Sequence, residues 1–282
     1  MPSLREKLDE ATSDLQTNDI IDHRRDASLL VALALGRDRA FIIAHPEYEL
    51  TPDENDKLDA LIARRAAHEP YQYISGRTEF YGLDFVVTRD VLIPRPETEM
   101  VVERSIEILS EISSAKFCEI GVGSGCISVA TLVHARSATA VGLDISDAAI
   151  NVASRNAAVH GVADRLTLLE SDLFSAIPGQ RFDLIVSNPP YVPAVDLAGL
   201  QSEVRDFEPH VALFGGDDGL SIIRKIVVDA PNYLLARGHL LLEIGFDQSR
   251  RVADMFDSGL WHPPDLLPDL QGIPRLVSAR LK

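Results

Sequence analysis

Along the first seventy residues the apolar positions recur at helical spacing, with polar residues filling the gaps. Leu4, Leu8, Ala11 and Leu15 fall on one helix face, because residues three and four apart are neighbours on a 3.6-residue turn. A second helix is predicted over about residues 20–35, stopping at Gly36, where glycine readily takes the left-handed conformation that ends a helix. Its apolar run, Ala27 to Leu35 after Arg24 and Arg25, is too short to span a bilayer and reads as a buried helix. Thr51-Pro52-Asp53-Glu54 opens a further helix. It combines an N-cap, a proline at the first helical position and a capping-box glutamate. Leu58, Leu61 and Ile62 give that helix an apolar face, and Glu69-Pro70 ends it.

The period then shortens. Thr78–Tyr81 and Asp84–Thr88 read as a hairpin turning around Gly82. Pro94-Arg95-Pro96 is stiff and extended, since each proline fixes φ and biases its predecessor away from helix. A helix is predicted from about Glu97 to Ile112. After Ser113-Ser114 the candidate strands are Phe117–Ile120, Ala140–Asp144, Leu166–Glu170, Leu184–Ser187, His239–Ile244 and Leu276–Leu281. Helices are expected near 124–134, 147–159, 219–235 and 247–257. Such alternation predicts an α/β fold with a mostly parallel, doubly wound sheet. The expected organisation is a helical domain over residues 1–74, a hairpin linker over 75–93 and a Rossmann-like domain over 94–282.

Composition narrows the function. A chain of 282 residues with 46% hydrophobic and 25% charged residues can bury a substantial core. With 27 Lys+Arg against 43 Asp+Glu, the net charge is -16, which argues against a general basic surface for nucleic acid but does not exclude a local groove. Cys118 and Cys126 offer no disulfide framework and no CxxC, as in a reducing compartment. The eight His include no HExxH, so no zinc site is expected. The start, Met1-Pro2-Ser3-Leu4-Arg5-Glu6, lacks the apolar core of a signal peptide. A cytoplasmic protein is expected.

Two segments carry chemistry. Glu119-Ile120-Gly121-Val122-Gly123-Ser124-Gly125-Cys126 joins the first strand and helix of the α/β domain. Glycines there let the backbone turn tightly and approach a ligand. A dinucleotide fingerprint would be GxGxxG, but position 126 is Cys and the third glycine comes one residue early. That spacing favours a nucleoside cofactor without a pyrophosphate, S-adenosylmethionine, over NAD. Asp144 ends the next strand, 19 residues after Gly125, where an acid can accept from both ribose hydroxyls. An aspartate ahead of a helix can equally be its N-cap. Asp172 can accept from an adenine amino group with Leu173 on the ring face, or it can simply cap a turn.

Asn188-Pro189-Pro190-Tyr191 follows the fourth strand, at the carboxyl edge where open α/β sheets bind ligands. Methyl transfer to a planar nitrogen requires its delocalised lone pair to be aimed at the methyl donor. The Asn188 side-chain oxygen can accept one N–H of such a group, and the Pro189 carbonyl the other. Prolines hold the turn rigid, and Tyr191 offers a ring for a flat group to pack on. Catalysis of this kind is mostly positioning.

At this point the chain resembles the class I S-adenosylmethionine-dependent methyltransferases with an NPP(Y/F/W) motif, which act on adenine N6, guanine N2 or glutamine N5. Three further segments resemble the peptide chain release factor glutamine methyltransferase family. They are Pro70-Tyr71-Gln72-Tyr73-Ile74-Ser75-Gly76, Val91-Leu92-Ile93-Pro94-Arg95-Pro96-Glu97-Thr98-Glu99, and Phe207-Glu208-Pro209 with Ala212-Leu213-Phe214-Gly215-Gly216-Asp217-Asp218-Gly219. The resemblance implies methylation of the glutamine in the Gly-Gly-Gln loop of class-1 release factors. A monomer is expected, and from the acidic balance no direct nucleic-acid contact. It implies that Glu119, Gly121, Val122, Gly123, Ser124, Gly125, Asp144, Ile145, Asp172, Leu173 and Asn188 hold S-adenosylmethionine. Asn188, Pro189, Pro190 and Tyr191 would hold the substrate amide, with Asn188, Pro189 and Tyr191 catalytic. Glu119 stands where the family commonly has Asp, and Leu173 where some members place an aromatic beside the adenine. Arg95 and Glu97 either flank the site mouth or pair as a linker. A ribosomal-protein glutamine methyltransferase and a nucleic-acid amino-methyltransferase are the alternatives.

Overall fold

Ser3 starts the first helix, α1 (Leu4–Thr17), through a closed capping box: Glu6 N–H donates to the Ser3 hydroxyl, and Ser3 N–H donates back to the Glu6 carboxylate at 2.8 Å. α2 (His23–Leu35) ends on Gly36 at φ 62°. It begins later than its apolar pattern predicts. Ile20 fits the helical spacing, but its N–H donates to Leu15 O and closes off α1, with Asp19 at φ 57°. α3 (Arg39–Ala44) is capped by Asp38. α4 (Pro52–Ala66) has the expected box between Thr51 and Glu54. α5 (Tyr71–Ser75) closes on Gly76 at φ 74°. α3 and α5, of six and five residues, are too short to show a period, and both went unpredicted.

The computed structural model describes residues 1–282 and divides into two compact units, 1–76 with 201–207, and 77–200 with 208–282. In the first unit Leu4, Leu15, Leu30, Leu50 and Leu58 are fully buried together. Arg65, 5% exposed, donates to Asp26 at 2.7 Å and also pairs with Glu203 from the short segment that clusters with these helices. A buried cation survives in this way only when it is paired.

The second unit opens with the hairpin β1 (Arg77–Phe80) and β2 (Leu83–Val86). Tyr81 and Gly82 both have positive φ, 54° and 69°, as a two-residue turn matched to strand twist requires. Then come a 3₁₀ turn (Pro96–Thr98), α6 (Glu99–Ser110), β3 (Lys116–Ile120), α7 (Cys126–His134), β4 (Thr139–Asp144), α8 (Asp147–Val159), β5 (Leu166–Glu170) and β6 (Phe182–Ser187). α9 (Ser202–Phe207) is the segment counted with the first unit. α10 (Ser221–Asp229), β7 (Leu234–Glu243), α11 (Ser249–Ala253), β8 (Asp265–Pro268) and β9 (Pro274–Arg280) complete the chain.

The sheet order is β5-β4-β3-β6-β7-β9-β8, parallel from β5 to β7, with β9 antiparallel to both of its neighbours. Successive strand residues feed opposite faces. Phe117, Leu184, Val186 and Leu241 join a core with α6 and α7, while Cys118, Ile185, Leu240 and Leu242 join one with α10 and α11. This double burial is why the strands are continuously apolar. The chain builds outward from β3 through β4 to β5, then returns to add β6 on the other side of β3. The switch point between β3 and β6 is where such a sheet opens a crevice at its carboxyl edge.

Three expectations are corrected in the C-terminal half. The helix expected over 219–235 stops at Asp229 and gives way to a 3₁₀ turn containing Pro231, and β7 begins at Leu234 rather than His239. The helix expected over 247–257 is only Ser249–Ala253. β8 was not foreseen. It is an edge strand ending in Pro268 and paired only with β9, a position where a strand tolerates proline.

Candidate active site and cofactor cavity

At the carboxyl edge of β3, Gly121 N–H and Val122 N–H both donate to Leu143 O of β4, at 2.8 and 2.9 Å. The chain then turns through Gly121 (φ 73°), Gly123 (φ 52°) and Gly125 (φ 79°) into α7. All three φ values are ones that L side chains rarely adopt. A Cβ on Gly123 would meet no atom within 4 Å, and one on Gly121 only Asn188 O at 4.0 Å. The space above these two glycines therefore belongs to something other than the protein.

That space is a cavity of about 190 Å³. Gly121, Gly123 and Ser124 of the glycine turn line it, with Asp144, Ile145, Asp172 and Leu173 after the next two strands and Asn188, Pro189 and Pro190 after β6. Glu119 and Val122 also line it. Gly125 and Tyr191 are absent from the lining. A Cβ on Gly125 would press on Ala153 Cβ at 3.2 Å, so that glycine lets α7 pack closely on α8. Tyr191 packs against the apolar core on the α10 face; burial pushes its phenol up to about 12.

Asp144 Oδ2 accepts from Gly123 N–H at 2.8 Å and Oδ1 from Ser146 N–H at 3.0 Å. The N-cap of α8 is Ser146, whose hydroxyl accepts from Ala149 N–H at 3.2 Å, which excludes the capping alternative for Asp144. Burial raises the Asp144 pKa, while the N–H bonds oppose it. Each of its oxygens keeps lone-pair capacity for a further donor. Leu173, at φ 50°, is held by the Ser171 hydroxyl donating to its carbonyl at 2.7 Å. Glu119 is 1% exposed. Its Oε2 accepts from Ser128 N–H at 2.8 Å and from the Ser128 hydroxyl, yet burial prevails and lifts its pKa to about 8.

Several residues that shape the site went unpredicted. Asn156 of α8 donates to Ser124 O at 2.8 Å and exchanges two bonds with the Val86 backbone, so it pins the glycine turn to the hairpin. Thr98 Oγ1 accepts from Asn188 Nδ2 at 3.2 Å. Gln248 Nε2 donates to Tyr191 O at 3.0 Å and to Gly219 O at 3.3 Å. Gly215 packs so tightly on the proline motif that its Cβ would lie 2.7 Å from Pro190 O. Arg95 borders the cavity and pairs with buried Glu208 at 2.6 Å.

The cavity suits S-adenosylmethionine. Its glycines leave room that a Cβ would fill, and Asp144 keeps acceptor capacity that suits hydroxyl donors such as those of a ribose. No phosphate-binding glycine follows at position 126. Fold and cavity together define a class I S-adenosylmethionine-dependent methyltransferase. Residues 6–76 match the family model described as PrmC N-terminal domain, and residues 103–200 match the methyltransferase small domain. The chain is 44% identical to the release factor glutamine methyltransferase of Geobacter sulfurreducens, covering 99% of this chain and 97% of that one. It is 46% identical to that of Cereibacter sphaeroides, covering 91% of each. A methyltransferase structure from Pyrococcus furiosus shares the fold, with a TM-score of 0.52 at 15% identity over 79% of this chain and 97% of that one. The chain belongs to the release factor glutamine methyltransferase family.

Proposed function

We propose that this protein transfers a methyl group from S-adenosylmethionine to the side-chain nitrogen N5 of the glutamine in the Gly-Gly-Gln loop of class-1 peptide chain release factors. When bound, the cofactor supplies an electrophilic methyl on a sulfonium, so the protein's task is to aim a poor nucleophile. The observation that carries the reading is the state of Asn188. Its Nδ2 is engaged by Thr98, which leaves Oδ1 as an acceptor at the cavity wall. A primary amide has two N–H donors in one plane. Asn188 Oδ1 takes one and the Pro189 carbonyl the other, turning the nitrogen lone pair toward the methyl. Pro189 and Pro190 keep the acceptors fixed, and fixed donors and acceptors need no reorganisation at the moment of transfer.

On the cofactor side, Asp144 would accept from the ribose hydroxyls, the Gly121–Gly123 backbone would approach the ligand, and Glu119 would serve the methionine end. Asp172 and Leu173 border the adenine. The helical unit of residues 1–76 docks the release factor, and the enzyme works in the cytoplasm; no helix is long and apolar enough to cross a membrane. The test is methyl incorporation from labelled cofactor into a purified class-1 release factor and into the same factor with the loop glutamine replaced by alanine. Label in the first alone supports the reading; label in both, or only in ribosomal protein or RNA, refutes it.

A further inference from the structure

Residues 188–193 include the proposed acceptors of the substrate amide, yet this segment has few means of holding itself in place. Pro189, Pro190 and Pro193 carry no N–H, so half of its six residues cannot donate to a neighbour. Val192 N–H donates to Leu213 O at 2.9 Å, and Val192 O accepts from Gly215 N–H at 2.9 Å. Beyond that short pairing, its position depends on donors brought to its carbonyls from elsewhere in the fold.

Gln248, at the start of α11, brings one. It is 3% exposed, and both N–H groups of its amide are used. Oε1 accepts from Gly245 N–H at 2.9 Å, while Nε2 donates to Tyr191 O at 3.0 Å and to Gly219 O at 3.3 Å. The first bond sets the orientation of the amide. A nitrogen cannot accept from Gly245 N–H, so Nε2 is turned to the two carbonyls. Two glycines make room for this amide. A Cβ on Gly219 would lie 2.8 Å from Nε2, and one on Gly245 would lie 3.0 Å from Oε1. Gly245 has no positive φ to call for glycine. The three nearest atoms that a Cβ would meet there all belong to the Gln248 side chain.

We infer that Gln248 is a positioning residue for methyl transfer: it clamps Tyr191, the end of the proline motif, to Gly219, and so fixes where Asn188 and the Pro189 carbonyl meet the substrate amide. Consecutive prolines stiffen the turn. What holds Tyr191 O therefore also holds the acceptors two and three residues before it. The other side of the clamp is anchored. Ser221 N–H, opening α10, donates to Gly215 O at 2.9 Å, and Ile223 and Ile226 of that helix are fully buried. Gln248 is absent from the cavity lining and acts only through the turn, as a support that keeps contacting groups in productive geometry. The glycine-rich segment 215–219 gains a physical role as the fixed jaw of the clamp.

The inference rests on Asn188 and Pro189 being the amide acceptors. Its test is the single-turnover rate of methyl transfer to a class-1 release factor at saturating cofactor, with cofactor Kd and melting temperature measured alongside. Gln248→Met keeps the length of the side chain and removes both donors. It should slow transfer about tenfold or more, the scale on which small misplacements of reacting groups act, at unchanged cofactor Kd. Gly245→Ala keeps every hydrogen-bonding group but makes the amide yield to a new Cβ, and should give a smaller loss in the same sense. A purely structural role would lower the melting temperature and leave the folded enzyme transferring at the wild-type rate. A wild-type rate in Gln248→Met, or a loss of rate matched by a rise in cofactor Kd, overturns the inference. If Gln248→Met does not fold, Gly245→Ala decides alone by the same two readings. Full turnover in Asn188→Ala would remove the underlying reading. Loss there, with wild-type rates in the Gln248 and Gly245 variants, would remove only the clamp.

Discussion

Replacing Asp144 with alanine removes a carboxylate that does two jobs. It receives Gly123 N–H at 2.8 Å and Ser146 N–H at 3.0 Å, which holds the glycine turn, and it lines the cavity, where in the proposed reading its remaining lone pairs would accept from the two ribose hydroxyls. Hydrogen bonds to a charged group contribute about 1.5–3 kcal/mol each. Losing two of them, less what water returns in the enlarged site, gives about 3 kcal/mol. At about 1.4 kcal/mol per tenfold, cofactor Kd should rise on the order of 100-fold. Asp144→Asn keeps one acceptor and should lose about tenfold by the same reasoning. Isothermal titration with S-adenosylmethionine and with S-adenosylhomocysteine measures both, and the two ligands should suffer alike because they share the ribose. A thermal melt without ligand separates the structural share. An Asp144→Ala Kd within about threefold of wild type, well short of one lost hydrogen bond to a charge, would refute the assignment and leave Asp144 as a brace for Gly123.

Glu119 predicts a pH dependence. Its folded pKa, about 8, lies above the ordinary carboxyl value of 4.5, so the folded protein holds a proton that the unfolded chain releases. Its contribution to stability is fully present below pH 4.5 and lost as pH rises through about 8. In the proposed reading the positively charged methionine end of the cofactor would favour the ionised form. Affinity should therefore rise with pH and level off above about 8, and Glu119→Gln should flatten the curve; titration at several pH values checks this. Gly215→Ala would drive a Cβ to 2.7 Å from the carbonyls of both Gly219 and Pro190. It should cost roughly 2–4 kcal/mol of stability and most of the turnover. Gly161→Ala, at φ 67° with nothing within 4 Å, should cost only about 1 kcal/mol, and chemical denaturation compares the two. Arg65→Met should destabilise the protein by about 3–5 kcal/mol, because it strands buried Asp26; a denaturation midpoint near wild type would contradict this.

What was legible in the sequence was local. The Thr51 capping box, the Gly36 stop and the turn around Gly82 are decided by residues within a few positions of one another, and they formed where expected, the turn taking in Tyr81 as well. The parallel strands were legible because burial on both faces makes them continuously apolar. β8 was not, since Asp265–Pro268 is a strand only through its pairing with β9. At the site, the glycine turn, Asp144 and the Asn188–Pro190 backbone converge on one cavity. Their supports were invisible because each acts across the fold. Thr98 lies 90 positions from Asn188, and Gln248 lies 57 from Tyr191. Asn156 reaches the hairpin 70 positions away. Gly125 shows the converse, a motif glycine whose Cβ space is filled by Ala153 rather than by ligand.

The central claim is tested most directly by mass spectrometry of a class-1 release factor incubated with this protein and S-adenosylmethionine, with fragmentation of the Gly-Gly-Gln peptide. The account predicts one added methyl, located on the side-chain amide nitrogen of the glutamine and absent when the enzyme carries Asn188→Ala. An unmodified peptide from an enzyme that binds its cofactor, or a methyl on any other atom, would contradict it.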